Sequence, residues 1–406
     1  MWTSCRWPTT SRGTISVRLQ LTDEQEAFRD RMRSFFSIAV PQEIRDKVAA
    51  GAELSREEIV SSQQILNAHG LAVPQWPVAW GGQDWTPVER HLWTDELQRS
   101  ATPMPLVFNT SLVGPVIAEF GTEEQKQRFL PATANLDIWW CQGFSEPEAG
   151  SDLASLRTRA VREDDHYIVN GQKTWTTYAH YADWMFALVR TDPDAPRKQQ
   201  GISFLLIDMT SPGVTVRPIE LLDGAKEVNE VFLDDVRVPA ENLIGEDNQG
   251  WACAKFLLGN ERGGFAMSQV VRRRLAQAKQ AAAEIPCGGG NLLDDQLFRA
   301  RIAELETTAQ ALEVTGLRVV AGSQSGRPNP ISSLLKLRGS QLHQDTTQLL
   351  LDVAGPDARL FEPGSTSAPD WAPRTARTYL NNRKSTIYGG SSEVQRSIIA
   401  SSILGL

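Results

Sequence analysis

Apolar residues recur at helical spacing through the first third of the chain. Gly and Pro separate four such stretches, and Thr22 with Gln25 three positions later has the pattern of a capping box. These observations predict a helical domain over 21–135. The stretches read LTDEQEAFRDRMRSFF, SREEIVSSQQILNAHG, PVERHLWTDELQRS and TEEQKQRFLPATA.

The pattern changes to short alternating runs between 136 and 245, such as HYIVNG, WMFALVRT and GISFLLIDM, which predict a small, barrel-like middle β domain. The Asn170-Gly171 pair is a hairpin signal, so KTWTT is predicted to be a new strand with Trp175 and Thr177 on one face.

Helical periodicity returns in four long segments within 246–406, which predict an antiparallel four-helix bundle. The Pro/Gly-rich stretch 355–378 is predicted to be irregular. The fold class is therefore mainly α with a central β domain. Residues 1–20 hold three Arg, seven Ser/Thr and no acid in the first nineteen, and they are predicted to be a disordered or extraneous extension.

Composition narrows the classes of function. The net charge of −8 and the lack of a basic run argue against nucleic-acid binding, and the apolar runs fall short of the ~20 residues that span a bilayer. The four cysteines have neither metal-ligand nor disulfide-framework spacing, so no metal is expected. A reducing compartment follows: the bacterial cytoplasm, or the mitochondrial matrix if the basic N-terminus is a transit peptide.

Two segments can carry chemistry. CQGFSEPEAGSD, at a predicted domain junction, can present the Ser145 and Ser151 hydroxyls and backbone N–H groups, although such clusters are commonly plain loops. In KTWTT, an aromatic plane with a hydroxyl two residues later suits a flat cofactor. The simpler alternative is a core Trp175 beside an exposed Thr177.

Together with AEFGTEEQKQRFLP, NEVFLDDVRVPAENLIGEDNQGW and IYGGSSEVQRSII, these two segments resemble the acyl-CoA dehydrogenase family over 21–406. The resemblance implies an FAD enzyme that removes a Cα proton and a Cβ hydride from an acyl-CoA thioester, leaving a trans-2-enoyl-CoA. It also implies electron-transferring flavoprotein as the acceptor. It assigns cofactor contacts to Phe144, Ser145, Ser151, Trp175, Thr177, Ser391 and Glu393, and substrate contacts to Ser151, Arg262 and Gly389.

The catalytic base departs from the commonest family pattern. Gly389 stands where many members carry the catalytic glutamate, and it has no side chain to abstract a proton. Other members carry the base in a Glu-Arg pair like Glu261-Arg262. In this chain Glu261 lies at helical spacing from Trp251 on a largely apolar face. We therefore expect Glu261 to be the base and the Gly389 N–H to hold the thioester oxygen. The alternative is a half-exposed helical glutamate paired with Lys255 or Arg262.

Two features of the C-terminal region bear on partners. The R-x-x-F-G and G-G-x-G segments that the family uses near the FAD adenine half are not recognisable. In this respect the chain resembles the large subunits of two-component members. Its overall sequence pattern is most similar to that of the pimeloyl-CoA type. We expect an α2β2 assembly with a smaller homologue, with a homo-oligomer as the alternative. A flavin oxidase or monooxygenase of this fold and a non-catalytic subunit are the competing functions, and the acyl group stays open.

Overall fold

The computed structural model describes residues 21–261, 268–322, 329–360 and 371–406, so the predicted extension 1–20 lies outside the described residues. Six helices open the described chain. Capping boxes start four of them (α1, α3, α4 and α6), and the one predicted at Thr22 is confirmed. The helices are α1 (Asp23–Ile38), α2 (Gln42–Ala49), α3 (Arg56–Ala68), α4 (Pro87–Arg99), α5 (Gly114–Phe120) and α6 (Glu123–Asn135).

One eight-stranded sheet forms the middle of the molecule. Its order is β6-β7-β3-β2-β4-β5-β8, with β1 parallel to β4. The strands are β1 (Trp140–Gly143), β2 (Arg159–Glu163), β3 (His166–Thr177), β4 (Trp184–Arg190), β5 (Ile202–Asp208), β6 (Val214–Ile219), β7 (Val228–Pro239) and β8 (Leu243–Ile244). A separate two-residue pair, β9 (Pro286–Cys287) and β10 (Gly290–Asn291), follows later in the chain.

The unbroken apolar runs of β4 and β5 arise because both faces of these strands are covered. Phe186 and Phe204 join the core of the N-terminal helices, whereas Met185 and Leu205 on the opposite face join the core of the sheet. Successive side chains of a strand point to opposite faces, so a strand buried on both sides is apolar at every position.

The predicted hairpin at Asn170-Gly171 is wrong. β3 runs without a break from His166 to Thr177, and a register shift against β7 marks a bulge at this pair. Gly171 has φ +155°, and a Cβ there would lie 2.5 Å from the Thr158 hydroxyl oxygen. The glycine therefore permits a close approach between strands. The chain reverses instead at Asp164, between β2 and β3.

Six further helices make up the C-terminal part. They are α7 (Gly250–Glu261), α8 (Ser268–Glu284), α9 (Gln296–Gly322), α10 (Ser332–Ala354), α11 (Ala372–Asn382) and α12 (Ser392–Ile399). The bundle core lies between α8, α9 and α10, where Leu275, Leu305 and Leu349 are buried. By contrast α7 packs into the N-terminal core through Ala254 and Leu257.

The prediction that 355–378 is irregular is wrong at its end, and positions 361–370 of that stretch lie outside the described residues. α11 starts at Ala372, and Pro373 lies in the first turn, where its missing N–H has no helical partner to lose. Among the helices of the described ranges, none combines the length and apolar character needed to cross a membrane.

Candidate functional site

The two motif segments that the sequence singled out meet in space. The Thr174 N–H donates to the Ser145 carbonyl (2.9 Å), which joins the turn after β1 to β3. One residue earlier, Lys173 Nζ donates to the carbonyls of Phe144 (3.3 Å) and Leu188 (2.8 Å). The backbone at Ser145 therefore lies directly beside the strand that carries Trp175 and Thr177.

Sequence reasoning missed the ion pair that holds this junction. Lys173 is fully buried and Glu146 is 8% exposed, and their Nζ and Oε1 atoms lie 2.8 Å apart. Glu146 also accepts the backbone N–H groups of Arg157 (2.6 Å) and Thr158 (2.9 Å). Both residues lie within the motifs quoted above, but a charged residue with polar neighbours in the sequence gives no indication that its side chain is buried.

Burial by itself would raise the pKa of the Glu146 carboxyl. The Lys173 ammonium and the hydrogen bonds from Lys173, Thr158 and Arg157 outweigh burial and bring that pKa below its ordinary value. Burial lowers the pKa of Lys173, and the Glu146 carboxylate opposes the change. The two groups therefore stabilise each other as an ion pair inside the protein.

Trp175 is presented to solvent by an unusual backbone. Its side chain is 60% exposed, while Thr174 and Thr176 on either side are buried and Thr177 is half-buried. Trp175 has φ +58° at a second register shift of β3, a conformation that is strained for a bulky residue. A strained backbone that exposes a large aromatic ring is characteristic of a ligand site. The alternative of a core tryptophan is wrong.

The other motif residues divide between core and surface. The Phe144 ring is 4% exposed and packs edge-on against Phe186 and Phe204, so only its backbone can face a ligand. Ser151 is exposed on the turn that follows.

The C-terminal turn leads directly into α12. Gly389 (φ +64°) and Gly390 (φ +87°) are both left-handed, and Ser391 caps α12 by accepting the Val394 N–H (3.3 Å). Glu393 is exposed in the first turn, where backbone N–H groups and the Ser391 hydroxyl lower the pKa of its carboxyl. The helix start therefore offers hydroxyl and N–H donors.

A polar network brings this turn towards β3. Asn381 Nδ2, at the end of α11, donates to Asp223 (2.8 Å) and Glu227 (3.2 Å), and Lys384 forms an ion pair with Glu227. The Glu227 carbonyl accepts the N–H of Tyr178, the residue after Thr177 (2.7 Å). The loop before β7 thus links the end of β3 to the chain that precedes Gly389.

The predicted base lies at the edge of the described chain. Glu261 is the last residue of α7, and its backbone position is one helical turn after Leu257. Its side chain, and the whole of Arg262, lie outside the described residues. α7 packs against β5 and against the π-helical turn Phe108–Val113.

Comparison with known proteins identifies the family. Models of the acyl-CoA dehydrogenase N-terminal, middle and C-terminal domains match residues 22–137, 141–236 and 248–404. The chain belongs to the acyl-CoA dehydrogenase family. The resemblance found in the sequence and the mainly helical fold with a central β domain are both confirmed, and the chain is an oxidoreductase of this family.

Among its relatives is the acyl-CoA dehydrogenase IpdE1 of Mycobacterium tuberculosis, 37% identical over 353 residues, covering 86% of this chain and 88% of the relative. The ChsE4-ChsE5 complex from the same organism contains a chain that is 34% identical, with a TM-score of 0.83 and coverage of 96% and 99%. The Tcur3481-Tcur3483 steroid acyl-CoA dehydrogenase is 29% identical, with a TM-score of 0.84 and the same coverage.

FAD is the cofactor of this family, as the sequence predicted, and the residues present fit it. The exposed indole of Trp175 is a flat apolar surface beside backbone polar groups at Ser145. The N–H groups of Gly390 and Ser391 have no acceptor in the described part of the chain. Such donors suit the oxygen atoms of a flavin nucleotide.

Proposed function

We propose that this acyl-CoA dehydrogenase converts an acyl-CoA thioester to its trans-2-enoyl-CoA by removing a Cα proton and a Cβ hydride. The observation that carries the proposal is the convergence of two sequence-distant segments. The exposed Trp175 at the end of β3 and the glycine turn at Gly389 are tied to one loop through Glu227.

The proposed cofactor residues have separate tasks. Trp175 offers a face for stacking, Phe144 contributes its backbone and Ser145 its hydroxyl, and Thr177 lies on the same strand as Trp175. Ser151, Ser391 and Glu393 complete the set that the family resemblance assigns. When bound, FAD supplies the acceptor for the hydride.

We assign proton abstraction to Glu261. Gly389 has no side chain that takes up a proton, so the base has to come from another element. The register of α7 supports Glu261, because position 261 continues the face of Ala254 and Leu257, which pack into the N-terminal core. Arg262 is the proposed neighbour of the acyl group.

The proton leaves a carbon that is acidic only if negative charge on the thioester oxygen is stabilised. We assign this task to the backbone N–H of Gly389, because a main-chain donor does not depend on the missing side chain. The half-exposed turn is reachable by a ligand: Tyr388 beside it is 49% exposed.

The variant Glu261→Gln tests the base. It keeps the size of the side chain and removes its basicity, so we expect bound FAD with an unchanged visible spectrum and turnover reduced by roughly 10²–10⁴-fold. Glu304→Gln, exposed on α9, is the matched control and keeps full activity. Turnover of Glu261→Gln within threefold of the control would sink the assignment.

For the substrate and partner we propose a bulky acyl group of steroid type and assembly with a homologous second subunit. The support is the similarity to the ChsE4-ChsE5 complex and to a steroid acyl-CoA dehydrogenase.

Electron-transferring flavoprotein is the proposed acceptor. Anaerobic reduction of the flavin by a panel of acyl-CoA thioesters tests the substrate class, and co-purification with smaller homologues tests the assembly. Fast peroxide formation in air would favour an oxidase instead.

A further inference from the structure

The turn at Gly389 and Gly390 is held from inside the protein by Gln395 of α12. The Gln395 side chain is 1% exposed, and its Nε2 donates to the carbonyls of Gly389 and Gly390, both at 3.2 Å. One primary amide therefore uses both of its hydrogens on two successive peptide groups. The arrangement requires a glycine at 390, because a Cβ there would lie 2.5 Å from Nε2.

Fixing two carbonyls also fixes two donors. In a trans peptide the C=O of one residue and the N–H of the next lie in one plane and point in opposite directions. Since the carbonyls of Gly389 and Gly390 point towards Gln395, the N–H groups of Gly390 and Ser391 point away from it. Neither N–H has an acceptor within the described ranges.

We infer that Gln395 is a positioning residue: its amide fixes the two peptide planes of the turn so that the N–H groups of Gly390 and Ser391 face an oxygen atom of the bound ligand. That the ligand is FAD or the acyl thioester rests on the proposed function. The orientation of the peptide planes does not, because it follows from the hydrogen bonds alone.

We call the two hydrogen bonds from Gln395 to the Gly389 and Gly390 carbonyls the Gln395 clamp. Without this clamp the turn is free to rearrange. Two successive glycines have the widest conformational choice of any residue pair, so ordering both in the left-handed region has a large cost in backbone entropy. Preorganised donors are effective because they need not reorient when the ligand binds or reacts. The clamp orders the turn when the protein folds, so the turn does not have to be ordered when the ligand binds.

The test is the variant Gln395→Glu in the FAD-loaded enzyme, with its partner subunit if one is needed. A buried carboxylate donates nothing and repels both carbonyls, whereas a protonated carboxyl supplies one O–H donor. Burial raises the pKa of such a carboxyl, so the donor is present at low pH and lost as the pH rises. We expect the turnover of the variant relative to wild type to be roughly 10–100-fold lower at pH 8 and to recover several-fold at pH 6.

Hydrogen exchange gives a readout that does not depend on turnover. In the FAD-loaded wild type the amides of Gly390 and Ser391 are protected by the ligand oxygen that they face. In the FAD-loaded variant at pH 8 we expect these amides to exchange at least tenfold faster, with the thermal midpoint of the protein little changed. Gln199→Glu carries the same charge change on an exposed loop and is the control for both measurements.

Each outcome decides. A Gln395→Glu enzyme with wild-type pH dependence and wild-type exchange at the turn overturns the inference. If this variant does not fold, Gln395→Met keeps the volume and removes both donors; faster exchange and a pH-independent loss of turnover then support the clamp, and wild-type behaviour refutes it. If Glu261→Gln is active while Gln395→Glu shows faster exchange at the turn, the proposed mechanism is refuted and the inference about Gln395 stands.

Discussion

At the scale of single residues, the most consequential contact is one that periodicity does not predict. Lys173 and Glu146 stand 27 positions apart, and each lies among polar neighbours, so the sequence gives no reason to bury either. Folding brings them together because β3 crosses the turn after β1. For Trp175 the sequence leaves two alternatives, a stacking surface for a cofactor or a core residue, and only the fold shows that the ring is exposed.

The Lys173–Glu146 pair predicts an asymmetry between variants. Lys173→Met leaves a buried carboxylate without its cation, and we expect a loss of about 3–5 kcal/mol in the free energy of unfolding. Lys173→Met combined with Glu146→Gln removes both charges. The Arg157 and Thr158 N–H groups bond different oxygens of Glu146, so the one amide oxygen replaces only one acceptor. An unsatisfied N–H costs less than an unpaired buried charge, so the loss is smaller. Denaturant unfolding of both variants checks the order; a double variant less stable than the single one contradicts it.

The pair also predicts a pH dependence. The folded-state pKa of Glu146 is lowered, so its stabilising contribution is complete above the ordinary carboxyl pKa and is lost as pH falls through the lowered value.

At the scale of elements, local sequence patterns predict most of the strands and helices, but they do not predict the bulge in β3 or the position of α11. The sequence predicts two strands within β3 because Asn170-Gly171 is a turn signal, but pairing with β7 on one side and β2 on the other accommodates the glycine as a bulge. The sequence does not predict α11, because two prolines and a threonine-rich stretch resemble a loop, although packing against α10 supports the helix. Tertiary pairing overrides weak local preference in both cases.

The bulge at Trp175 predicts that stability and cofactor affinity separate. Asn tolerates a positive φ, and the strain of roughly 1–2 kcal/mol that it relieves offsets much of the partial burial lost with the indole. We expect Trp175→Asn to change the unfolding free energy by about 1 kcal/mol or less and to weaken FAD binding at least tenfold. Trp175→Phe, which keeps an aromatic ring and the strain, retains more of the affinity. Flavin fluorescence titration measures both, and unchanged FAD affinity in Trp175→Asn would refute the stacking role.

At the scale of the whole molecule, a polar connection joins the loop before β7 to the end of α11, beside the candidate site. Asp223 and Glu227 belong to the loop before β7, while Asn381 and Lys384 come about 155 residues later, at the end of α11. Burial lowers the pKa of Lys384, and the Asp223 carboxylate opposes that change. The connection aligns the end of β3 with the glycine turn.

Asn381→Asp tests that connection. The new carboxylate faces Asp223 and Glu227, so a donor becomes a like charge, and we expect a local loss of about 1–3 kcal/mol. Hydrogen exchange of 220–228 and 378–386 should accelerate together, and flavin affinity should fall. Asn382→Asp is the matched control, because the side chain of this neighbour donates within α11, to the Thr378 carbonyl. Equal exchange in the two variants would show that the connection does not hold the site.

The sequence by itself determined what depends on near neighbours: capping boxes, helical faces, the change to a strand pattern, and a set of motifs sufficient to recognise the family. It also indicated that Gly389 cannot be the base, since that is a property of one residue type. Only the tertiary structure decided the Lys173–Glu146 pair, the exposure of Trp175 and the bonds of Asn381 to Asp223 and Glu227. The physical reason is that periodicity specifies which face of an element is buried, whereas partners across tens to hundreds of residues are chosen by packing and by the pairing of buried polar groups.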